Sequence, residues 1–94
     1  MPGQWSVGNL GAMMTYRQRL RANIRAELGR ADRRQADAAE LLGFSETSMT
    51  QRMTGKRDFH LGELLAIAHW LKVPLATLLD GVDEYAHEEE QASR

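Results

Sequence analysis

Residues 35–55 read QADAAELLGFSETSMTQRMTG, and the fold turns on how this stretch is read. Ala38, Ala39, Leu41 and Leu42 recur at helical spacing, and the run stops at Gly43, a residue that takes the left-handed, helix-ending conformation at little steric cost. Just upstream, Asp32 and Gln35 are spaced as a capping box, which predicts a helix over about 33–42. Phe44 is apolar, so the chain turns inward after the glycine. Ser45 is a good N-cap for a second helix over 46–53, whose apolar pair Met49 and Met53 is spaced i, i+4. Two helices crossing steeply over so short a turn need a small residue where they touch, and Ala39 stands at that point.

Working outward, Thr15 caps a first helix with an apolar stripe of Tyr16, Leu20, Ile24 and Leu28. Its arginines fall on the other faces and read as a solvated surface. A loop containing Gly55 and Lys56 leads to a helix over 61–71, with Leu61, Leu64, Leu65, Ala68 and Leu71 as its expected buried stripe. Pro74 stands at the start of a last short helix with Leu75, Leu78 and Leu79, since proline is accepted in a first turn. There is no internal repeat and no alternating strand pattern, so the expected class is all-α. The opening MPGQWSVGNLGAMM, residues 1–14, holds Pro2 and three glycines without a sustained period and reads as a flexible leader or as residues upstream of the true start, in which Trp5 is an incidental or lightly docked aromatic. Residues 81–94 are acidic and short of large apolar side chains, which predicts a tail disordered beyond one frayed turn.

Composition narrows the function. A chain of 94 residues with 43% apolar side chains makes one small domain that buries roughly 60% of its unfolded surface. It has no cysteine, hence neither disulfides nor thiolate ligands, and a cytoplasmic setting fits. No apolar run is long enough for a membrane span, and no basic segment precedes an apolar core as in a secretion signal. His60, His69 and His87 lack the spacing that puts two ligands on one helical face, so no metal is expected. With no nucleophile elbow and no glycine-rich phosphate loop, neither enzyme activity nor a cofactor is expected.

The net charge of −1 hides a split. Residues 1–79 hold eleven Lys and Arg against seven Asp and Glu, a balance of +4. From Asp80 onward six acids face Arg94 alone, a balance of −5. A polyanion suits the body and is repelled by the tail.

The spacing around Leu42-Gly43-Phe44-Ser45 is that of a helix-turn-helix and points to DNA. The chain resembles the lambda-repressor-like (Cro and XRE type) helix-turn-helix family, especially its short actinobacterial and actinophage members. The resemblance runs from about Tyr16 to about Asp80, through IRAEL (24–28), the 35–55 stretch, SMTQRMTGKRDF (48–59) and LGELLAIAHWLKVPLATLL (61–79). It implies a compact five-helix domain over residues 15–80 that binds double-stranded operator DNA as a transcriptional regulator, of the phage or prophage repressor or Cro type. Arg33 and Arg34 stand where the family often has an apolar residue and a capping serine, Arg52 where many members are apolar, and Lys72 where a glycine is frequent. With Met53 filling the core, Arg52 is expected to reach outward.

A recognition helix enters the major groove by its N-terminal half, and the exposed positions there are Glu46, Thr47, Thr50 and Gln51. The resemblance brings Glu46, Thr47 and Gln51 to base edges. Their chemistry is suited to base reading, since Gln51 can pair with an adenine edge, Glu46 can accept from a cytosine amino group, and the Thr47 methyl can touch a thymine methyl. Arg34 and Gln35 lie at a helix N-terminus, where free N–H groups attract an anion, and Gln35 matches a family position that clamps the backbone. Ser48, Thr54, Gly55, Lys56 and Arg57 fall along the loop that in the family follows a phosphate strand, and Arg52 joins them if it points outward. A domain this small makes few base contacts alone, so a homodimer on DNA is expected through Trp70, Val73, Leu75 and Leu79. The reading from another class is a protein-interaction module, such as an antitoxin whose remaining surface or acidic tail holds a partner protein.

Overall fold

The computed structural model describes residues 15–84. The leader with Trp5 and tail residues 85–94 lie outside the described residues. In chain order the helices are α1 (Tyr16–Arg30), α2 (Gln35–Leu42), α3 (Glu46–Met53), α4 (Leu61–Leu71) and α5 (Leu75–Leu78). Residues 82–84 are again helical, and no strand occurs among the described residues. The architecture is all-α.

Each helix begins and ends for a local reason. At α1, Thr15 Oγ1 accepts the Gln18 N–H at 3.2 Å while Gln18 Oε1 accepts the Thr15 N–H at 2.7 Å, a reciprocal capping box. Ser45 Oγ accepts the Ser48 N–H at 3.1 Å and opens α3. At α4, Glu63 Oε1 reaches back to the His60 N–H at 2.9 Å. The ends of α1, α2 and α4 share one device, a left-handed residue followed by a six-to-one hydrogen bond. Arg33 N–H bonds Leu28 O at 2.9 Å past Asp32, Phe44 N–H bonds Ala39 O at 2.9 Å past Gly43, and Val73 N–H bonds Ala68 O at 3.0 Å past Lys72. The pivots have φ of 56°, 72° and 60°.

That geometry corrects the expected start of α2. Asp32 closes α1 and does not cap α2; its short polar side chain is among the few that tolerate the left-handed region. The N-cap is Arg34, whose N–H is taken by the Asp37 carboxylate at 2.8 Å, and the helix starts at Gln35, not at residue 33.

α1 packs on α5, α2 on both α3 and α4, and α4 on α5. The fully buried side chains at the centre are Ile24 from α1, Met49 and Met53 from α3, Ile67 from α4 and Leu78 from α5. Burying each contributes roughly 1.5–3 kcal/mol. Ala38 and Ala39 are buried at the close approach of α2 to its neighbours. The inward face of α4 differs from the expected stripe: Leu64, Ile67 and Ala68 are buried, whereas Leu61 and Leu65 are 61% and 48% exposed. LGELLAIAHWL is apolar on nearly every face, so its own periodicity does not select an orientation, and packing does. Asn23 ties the ends of the fold together, its Nδ2 donating to Leu78 O and to Asp80 O, each at 2.8 Å. Val82, from the short helical turn after Gly81, packs against the core.

Candidate nucleic-acid interface

The outer face of α3 is built from side chains the core does not use. Met49 and Met53 turn inward, which leaves Glu46, Thr47 and Thr50 exposed and Gln51 half-buried. With Thr54 and Lys56 they line one open groove of about 450 Å³. A smaller recess beside it is lined by Gln35, Ala36, Glu46 and Thr50, which joins the N-terminus of α2 to the same surface. The four expected base-reading residues, Gln35 and Lys56 therefore meet on one face. Arg34 is at the same helix end with its side chain 84% exposed, 4.0 Å from Asp37.

The loop after α3 is folded against the helix by backbone bonds. Gln51 O accepts the Lys56 N–H at 2.8 Å and the Arg57 N–H at 3.1 Å, and Thr54 Oγ1 donates to Thr50 O at 2.8 Å. This return needs Gly55 at φ +86°. Lys56 and Arg57 project from it, exposed.

Arg52 departs from the expected outward role. Its Nε donates to Glu63 Oε1 at 3.2 Å, its Nη1 donates to Ser48 Oγ at 2.7 Å and to Ser48 O at 3.2 Å, and its guanidinium carbon lies 3.9 Å from the Phe44 ring centroid. Met53 fills the core as expected, yet Arg52 is buried beside it, because Glu63 and Phe44 supply the partners a buried cation requires. Arg52 thus holds α3 to α4 and to the turn, and occupies the Ser48 hydroxyl in doing so. Arg52 is not left to grip a phosphate, whereas Ser48 Oγ, which accepts from Arg52, keeps its own O–H to donate.

Trp70, Val73, Leu75 and Leu79 are half-buried and already packed on the core of the single chain. The Arg33 guanidinium covers the Trp70 ring, 5.1 Å from its centroid. Among the described residues, Leu41, Leu61 and Leu65 are the large apolar side chains that stand exposed. Among the described residues no group of three or more His, Cys, Asp or Glu is arranged to hold a metal ion, and no helix is long and apolar enough to cross a membrane.

Three arginines of α1 belong to this surface although their spacing reads as a solvated face. Arg17, Arg21 and Arg25 recur every four residues beside the apolar stripe, and together they meet the end of α3 and the following loop. Arg17 pairs with Asp58. Arg21 lies against Gly55, and Arg25 Nη2 donates to Met53 O at 3.4 Å. They form one wall of the loop's basic flank, and the four-residue period was the available signal.

No family model, no curated protein and no solved structure matches this chain.

Proposed function

We propose that the chain is a sequence-specific double-stranded DNA-binding transcriptional regulator with a lambda-repressor-like helix-turn-helix, of the repressor or Cro type, acting in the bacterial cytoplasm. The observation that carries this reading is the convergence of Glu46, Thr47, Thr50, Gln51, Thr54 and Lys56 on one open groove of α3. Amide, hydroxyl, methyl and carboxylate groups suited to base edges sit at its centre, and cations stand at its border. α3 acts as the recognition helix. Gln35 and Arg34 at the start of α2, and Thr54, Gly55, Lys56 and Arg57 beyond α3, hold the two phosphate strands that flank it. Two copies bind a two-fold operator, meeting through the outer edge of the Trp70, Val73, Leu75 and Leu79 cluster.

Selection from a random duplex library tests the proposal. A recurring, approximately palindromic motif is the expected result. Recovery of no motif overturns base reading and favours a protein-interaction module, for which Leu41, Leu61 and Leu65 offer exposed apolar contacts.

A further inference from the structure

Arg21 is a half-buried cation whose charge the fold leaves unanswered. Among the described residues its Nε is the one buried side-chain polar atom without a hydrogen-bond partner. The acids brought to this region are already committed, Asp58 to Arg17 and Glu63 to Arg52. Cations gather around it instead. Arg52 and Arg57 line the same small recess with Asp58 and Phe59. Burial and, after it, the nearby Arg25 lower the proton affinity of Arg21. A partly buried guanidinium among other guanidiniums is a cost to the isolated protein. Violations of this kind are concentrated where a ligand completes the arrangement.

The backbone makes room for it. A Cβ at residue 55 would stand 2.5 Å from Arg21 Nη1, so a side chain there would push the guanidinium from its seat. Gly55, left-handed at φ +86°, lets the loop pass directly beneath. The result is a guanidinium at the end of α3, beside Lys56 and Arg57, with its Nε unpartnered.

We propose that Arg21, seated over Gly55, is a phosphate clasp through which α1 grips the DNA backbone at the C-terminal end of the recognition helix. The inference rests on the DNA-binding reading above and adds to it a residue from a different helix. Planar guanidinium donors match two oxygens of one phosphate, and this phosphate supplies the anionic partner that no hydrogen bond of the free protein gives Arg21.

The test is binding of the full chain to a random-sequence duplex across a series of salt concentrations. Arg21→Gln should weaken binding about tenfold at low salt and flatten the slope of log K against log salt by about one, as loss of a single phosphate contact does. Arg21→Lys, which keeps the charge, should retain the wild-type slope. Lys72→Gln removes a charge at the far end of α4 and should alter neither quantity. The Arg21 Nε–Hε resonance of the wild-type protein, followed by NMR as duplex is added, reads the same contact without a substitution and should shift. A wild-type slope for Arg21→Gln, or an unmoved Arg21 resonance while the α3 amides shift, overturns the clasp and leaves the DNA-binding reading standing. A wild-type chain that binds no duplex at any salt overturns both.

Discussion

Arg52 and Glu63 form an ion pair across the space between α3 and α4, Nε to Oε1 at 3.2 Å, with the two side chains only 8% and 18% exposed. Glu63 also closes the first turn of α4 through the His60 N–H. One carboxylate therefore orients two helices, and the outward face of α3 follows from where it holds Arg52.

Removing one partner of this pair leaves the other buried and unanswered. Glu63→Ala should cost about 3 kcal/mol in denaturant unfolding, and Arg52→Ala a similar amount. The double variant Arg52→Met/Glu63→Leu should recover most of that loss. A double-mutant cycle showing simple additivity would count against the pair as the link between α3 and α4.

Gln51 and Lys56 border the same groove but should fail differently. Gln51→Ala should weaken binding to the selected operator by about 1–3 kcal/mol and leave random duplex nearly unaffected. Lys56→Ala should weaken all duplexes alike and flatten the salt slope by about one unit. Competition titrations with operator and random DNA separate the two patterns.

Lys72 holds a left-handed conformation at φ 60° that glycine adopts without strain. Lys72→Gly should raise stability by up to about 1 kcal/mol, the relief of strain outweighing the added freedom of the unfolded chain. The gain should appear as a higher urea midpoint at unchanged m-value. A fall in stability would mean that Lys72 makes compensating contacts of its own.

The orientation of α4 can be read from two substitutions. Ile67→Ala removes a fully buried side chain and should cost about 2–5 kcal/mol, whereas Leu65→Ala, at a position 48% exposed, should stay within about 0.5 kcal/mol. Comparable losses at the two positions would point to an occupied surface at Leu65.

Much of this protein is written in its local sequence. The Thr15 and Ser45 caps, the Gly43 stop, the helices over 46–53 and 61–71, the inward Met49 and Met53 and the exposed Glu46, Thr47 and Thr50 all depend on residues within a turn or two of one another. Capping, helix periodicity and left-handed glycine are short-range effects, and they remain legible without a fold. What only the tertiary structure decided lies where local signals were degenerate or where distant chain segments met. Asp32 can cap a helix or end one, and the bond from Arg33 to Leu28 selected the ending. LGELLAIAHWL has only Glu63 and His69 as polar side chains to orient it, so packing chose Leu64, Ile67 and Ala68. Arg52 is a surface residue by type, and it became an interior one because Glu63, eleven residues away, and Phe44 were brought to it. Arg21 is likewise ordinary in sequence. Its unanswered charge exists only because α1 lies against Gly55. A buried charge takes its meaning from partners that the chain supplies at long range, and partners of that kind cannot be read from spacing along the chain.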